Sequence, residues 1–146
     1  MKAELTKSLN HYLADAGVLY IKLHNLHWNV IGRDFKSVHE YLETLYNGIA
    51  EVLDAVAECL KMNGEAPLAS LKDYLGTASI QEAASEETYS DSALKIVKED
   101  IRYMKTQAEE IRAAADEDGR YDVVSLMEDH LADYNKTLWF LEAMTK

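Results

Sequence analysis

One proline in 146 residues, at position 67, and only six glycines leave almost nothing in this chain to interrupt helix formation. Long helices are therefore the first expectation. From Leu5 to about Val30, apolar residues at 5, 9, 12, 13, 16, 19, 20, 23 and 26 recur at the three-and-four spacing of an amphipathic helix, which Gly32 ends. The run Ser37-Val38-His39-Glu40 reads as a capping box, Ser37 accepting from the amide of Glu40. A second helix then starts between Phe35 and Val38 and runs to Asn63-Gly64. Only about five residues link the two, which forces an antiparallel hairpin.

Pro67 suits the first turn of a short helix, Leu68 to Leu75, closed by Gly76. The polar stretch Thr77 to Ser90 completes a crossover of about 25 residues, enough to traverse a bundle. A third helix follows over Asp91 to Asp116, with Leu94, Val97, Ile101, Met104, Ala108 and Ile111 facing inward. Asp118-Gly119-Arg120 turns the chain into a fourth, Tyr121 to Met144. The fold class is all-α: a ferritin-like four-helix bundle in one domain, residues 1–146, with a short extra helix in the long crossover.

Charge and cysteine usage narrow the functional classes. A net charge of −11 lacks the basic footprint of a nucleic-acid binder and suits a surface that attracts cations, as it also suits any soluble acidic protein. The single cysteine, Cys59, permits no intrachain disulfide, and the first residues lack the apolar core of a secretory signal. A reducing cytoplasm is the expected location, and no apolar run reaches the ~18 residues of a membrane span.

The metal-ligating residue types concentrate between positions 24 and 58: His24, His27, His39, Glu43, Asp54 and Glu58. His27 lies about six residues before the hairpin tip and His39 about six after it, so antiparallel pairing sets them level. At ~100° per residue, His39, Glu43, Asp54 and Glu58 share one helix face. Yet Asp54 and Glu58 lie roughly 22 and 28 Å along the axis from His39, at ~1.5 Å per residue. Ligands at ~2 Å from a metal do not span that gap, so the histidines and carboxylates of one chain do not make one site. Two copies packed antiparallel about a two-fold axis would reunite them, giving two equivalent sites per dimer. The Glu-x-x-His pair of intrachain di-iron bundles is absent, since no histidine has a glutamate three residues earlier.

The combination of H-N-L-H-W-N-V, a short gap to S-V-H-E, and L-D-A-V-A-E resembles the Dps family of mini-ferritins over nearly the whole chain. The resemblance implies a dodecameric shell with 23 symmetry. It also implies ferroxidase sites at the two-fold interfaces, built from His27 and His39 of one chain and Asp54 and Glu58 of its partner. Glu43 stands where the family usually has an aspartate ligand. Iron as Fe(II) would be substrate, hydrogen peroxide the preferred oxidant, and ferric mineral the stored product. Imidazole and carboxylate donors together suit both iron oxidation states. Trp28 beside His27 fits packing or the quenching of stray oxidising equivalents.

Plainer roles fit the other candidates. His11, His24 and His130 read as hydrogen-bonded structural residues, with His24 one turn from His27 and open to an outer-shell role. His11 also falls level with Asp54 across the hairpin, so an intrachain cluster of His11, Asp54 and Glu58 is a second arrangement. Cys59 reads as a small buried residue. Asp122, near the third turn, is the candidate iron-entry residue, although Arg120 and Tyr121 interrupt the acidic run that the resemblance implies. Nothing like a lysine-rich tail is evident, and the charge opposes unaided DNA binding. A DNA-binding protein that protects by physical compaction is the alternative function.

Overall fold

A computed structural model describes all residues, 1–146. Five helices carry the chain: α1 (Ala3–Asn29), α2 (Phe35–Met62), α3 (Leu71–Thr77), α4 (Ser90–Glu117) and α5 (Tyr121–Met144). Helices α1 and α2 pack as one hairpin and α4 and α5 as the other, and the segment containing α3 crosses between them. The apolar stripe predicted for the third helix is inside, with Leu94, Val97, Ile101, Met104, Ala108 and Ile111 all buried. One continuous core results, including Leu9, Leu13, Leu19, Leu23, Leu42, Leu60 and Met127. At ~25 cal/mol per Å² of apolar surface removed from water, this burial is the main term holding the bundle. No helix is long and apolar enough to cross a membrane.

Three local expectations need correction. Helix α2 begins at Phe35 with Asp34 as a cap that makes no side-chain bond, and the Ser37 hydroxyl donates back to the Asp34 carbonyl at 3.0 Å. Ser37 is already inside the first turn, where a hydroxyl bonds the preceding turn more readily than a following amide. Glu40 accordingly pairs with Lys36 rather than reaching back. Helix α3 begins four residues after Pro67, because Ser70 accepts from the Asp73 amide at 3.2 Å and caps it there. It runs through Gly76 to Thr77.

The crossover is also more ordered than a polar stretch suggests. Val30–Ile31 (β1) and Thr88–Tyr89 (β2) form a two-residue parallel bridge that ties the hairpin tip to the start of α4. Gly32 makes the turn with φ of 139°, and a Cβ there would meet Ser90 Oγ at 3.0 Å. Further along, the buried Asp15 carboxylate accepts from the amides of Ser79 and Ile80 at 2.7 and 2.8 Å and from Gln107 Nε2 at 2.9 Å. The crossover is thereby pinned to α1 and α4. Tyr74 docks α3 on α1 at Gly17, where a Cβ would lie 2.6 Å from its ring.

Candidate metal centre

The antiparallel hairpin brings His27, near the end of α1, against His39, on the first turns of α2. Their rings stack with centroids 3.7 Å apart and planes inclined by 12°. Each Nδ1 meets the other residue's backbone carbonyl, His27 Nδ1 to His39 O at 2.6 Å and His39 Nδ1 to His27 O at 2.7 Å. A carbonyl oxygen only accepts, so both Nδ1 atoms carry the proton. With Nδ1 as the donor, Nε2 is the nitrogen left to bind a metal, and the carbonyl contact fixes tautomer and ring orientation.

Glu43, one turn after His39, brings Oε1 to 4.0 Å from His27 Nε2. His27 itself is buried, whereas Glu43 is exposed. Phe35 stacks on His39 with centroids 5.0 Å apart, closing one side. On the other side His24 donates from Nδ1 to the Tyr20 carbonyl at 2.8 Å and stacks on Tyr46 at 3.7 Å. Tyr46 also presents its ring edge-on to His27 at 5.2 Å. Burial first, then the charge and hydrogen bond of Glu43, push the Tyr46 hydroxyl above its ordinary pKa. Tyr46 escaped the sequence reading, although it lies seven residues after His39 and three after Glu43, on their face.

Asp54 and Glu58 lie further along the unbroken α2, so the ~22 and ~28 Å rises from His39 hold. Both are exposed, and neither takes part in any ion pair of the chain. No three His, Cys, Asp or Glu side chains of one chain converge as a metal site. The donor set nonetheless fits iron: two imidazoles with free lone pairs, an adjacent carboxylate, and two uncommitted carboxylates on the same helix face.

The second arrangement, joining His11 to Asp54 and Glu58, is contradicted. His11 Nε2 lies 2.8 Å from Ser79 Oγ and 3.3 Å from Asp15 Oδ2, on the crossover side of α1. Sixteen residues separate it from His27, about 160° of helix rotation, which turns it away from α2. His130 is a structural histidine, buried and bonded through Nδ1 to the Tyr12 hydroxyl at 2.9 Å. Cys59 is buried, and Asp122 accepts from Asn63 Nδ2 at 2.9 Å where α2 meets α5. Trp28 is exposed, its ring centroid 5.4 Å from that of His24.

Two helical hairpins joined by a bundle-length crossover, with histidine and carboxylate donors along one helix, define the ferritin-like class. A Ferritin-like domain model matches residues 6–146. Antigen TpF1 of Treponema pallidum is 38% identical over 99% of this chain and 81% of its own, and its crystal structure superposes with a TM-score of 0.97. The DNA protection during starvation protein of Helicobacter pylori is 35% identical over 92% of this chain and 94% of its own. A Dps protein from Bacillus brevis matches at a TM-score of 0.93, 33% identical with both chains fully covered. The chain belongs to the Dps family of ferritin-like proteins.

Proposed function

We propose that this protein is a ferroxidase and iron-storage mini-ferritin. It oxidises Fe(II), with hydrogen peroxide as preferred oxidant, at sites shared between two subunits. The ferric product is kept inside a hollow shell of twelve chains in the cytoplasm, which limits oxidative damage. The observation that carries this reading is the reciprocal bonding of His27 and His39, which leaves both Nε2 lone pairs free beside Glu43. Family membership supports the iron chemistry, and a Vibrio cholerae Dps neighbour, 27% identical with a TM-score of 0.93, is described as a ferritin-like diiron-carboxylate protein.

The two-fold arrangement has a definite register. An antiparallel α2 pair that sets His39 opposite the partner helix's position 58 also sets Glu43 opposite position 54, and the axis then crosses between positions 48 and 49. On the same face, Asn47 and Ala50 meet their copies' Ala50 and Asn47 across that axis. Two carboxylates thereby join two imidazoles at each end. Two Fe(II) ions give one electron each to one peroxide; its O–O bond breaks, two protons are taken up, and two waters form. Delivering both electrons at one site avoids release of hydroxyl radical.

Adding Fe(II) and peroxide to the assembled protein is expected to give a ferric product faster than the protein-free reaction, and His27→Ala or Asp54→Ala returns the rate to that background. Unchanged oxidation by both variants would refute the assignment. The DNA-compaction reading predicts instead a gel shift of duplex DNA at physiological salt without added metal. A net charge of −11 favours the ferroxidase reading.

A further inference from the structure

A cavity of about 270 Å³ lies between α2 and α5, away from the histidine pair. Leu45, Ile49, Val52, Tyr41 and Phe140 give it apolar walls. His130, only 6% exposed, also lines it. The protons of the neighbouring network can be placed by counting acceptors. The Tyr134 hydroxyl contacts only the Tyr12 hydroxyl, and Tyr12 in turn contacts His130 Nδ1. Buried hydroxyls donate wherever an acceptor exists, so Tyr134 donates to Tyr12 and Tyr12 donates to Nδ1. The imidazole proton then sits on Nε2.

Nε2 makes no hydrogen bond in the chain, yet the only sealed side-chain atoms outside the hydrogen-bond network are Asp100 Oδ2, ion-paired with Lys22 Nζ at 2.7 Å, and Arg120 Nε, 3.5 Å from Asp118 Oδ2. It therefore borders open space, and the space beside His130 is this cavity. Burial holds the imidazole neutral, with its pKa lowered to about 4. Gly48 sits at the cavity edge in mid-helix, and a Cβ there would meet nothing within 4 Å. Packing does not require this glycine, although it costs the helix about 1 kcal/mol relative to alanine. Its absent side chain keeps the mouth open.

We propose that this cavity is a binding site for a small, uncharged aromatic carbonyl compound, its ring against the apolar wall of Leu45, Ile49 and Val52 and its oxygen accepting from His130 Nε2. A neutral donor at the base favours a neutral acceptor, because burying a carboxylate against it would leave the charge uncompensated. The rim supplies one cation and one anion, Lys136 and Asp133, and so no net charge for a charged ligand. The volume suits a single ring. The site is independent of the iron reading.

Acetophenone is the probe, titrated calorimetrically into the assembled protein, with toluene and benzoate as comparators. Acetophenone is expected to bind about tenfold more tightly than toluene, the worth of one buried hydrogen bond, and more tightly than benzoate. Gly48→Leu, which adds a good helix former in open space, abolishes binding while the protein stays folded. His130→Phe removes the preference over toluene. Absence of acetophenone binding, equal binding of toluene, or binding unaffected by Gly48→Leu would each overturn the proposal.

Discussion

His27 and His39 each donate Nδ1–H to the other's backbone carbonyl, at 2.6 and 2.7 Å, with their rings stacked 3.7 Å apart. Because the acceptors are main-chain atoms twelve residues apart, the hairpin itself sets the tautomer of both side chains. The orientation of both imidazoles is thus built into α1–α2 packing.

His39→Ala separates ligation from folding, since alanine keeps the carbonyl that His27 bonds. The expected result is a stability loss of about 1–2 kcal/mol from the lost stack and hydrogen bond, with at least a tenfold loss of Co(II) affinity in the assembled protein. Chemical denaturation and spectroscopic Co(II) titration measure the two. Undiminished Co(II) binding would remove His39 from the site.

In the proposed dyad register, Ala50 would be a point of close approach between copies. Ala50→Arg is expected to leave helicity unchanged, because the residue lies outside the core, while the shell fails to assemble and oxidation falls to background. Light scattering and circular dichroism report both. An active, fully assembled variant would contradict the register.

How much of this was legible in the sequence depended on whether a residue's position along a helix or its azimuth mattered. Counting residues from Gly32 placed His27 level with His39, and counting rise separated Asp54 and Glu58 from them. The same count misplaced His11, because level alone ignores the 160° that turns it towards Ser79. The Val30–Thr88 bridge is too short to show any periodicity. Ser37 matches a capping pattern, but the helix has already begun at Phe35, and Tyr46 carries no metal-ligand signal of its own, since an aromatic residue on a helix usually marks packing.

Stability should fall in mild acid through His130. Its folded pKa, lowered to about 4 by burial, lies below the unfolded value near 6.5, so the unfolded chain binds the extra proton first. The stabilisation is complete above the unfolded pKa and is lost as pH falls from about 6.5 to 4, on the order of 3 kcal/mol. Urea midpoints across that range for the natural chain and His130→Phe measure it. An equally steep decline in both would assign the acid sensitivity elsewhere.

Asp15 is expected to govern the crossover. Asp15→Ala strands the Ser79 and Ile80 amides and Gln107, all now bonded to the carboxylate. A loss of about 3 kcal/mol follows, with amide exchange at Ser79 and Ile80 accelerated more than in α2. Hydrogen exchange resolved by residue is the measurement, and uniform acceleration would argue against a local anchor.

The shared site is tested most directly by mixing two inactive chains. His27→Ala and Asp54→Ala subunits are unfolded together, reassembled, and supplied with Fe(II) and peroxide. In a mixed dimer one site carries both lesions and the other carries none, so random pairing restores about one-quarter of the natural rate. Recovery near that fraction is the predicted result; a mixture as inactive as its two components would place all the ligands in a single chain and contradict the account.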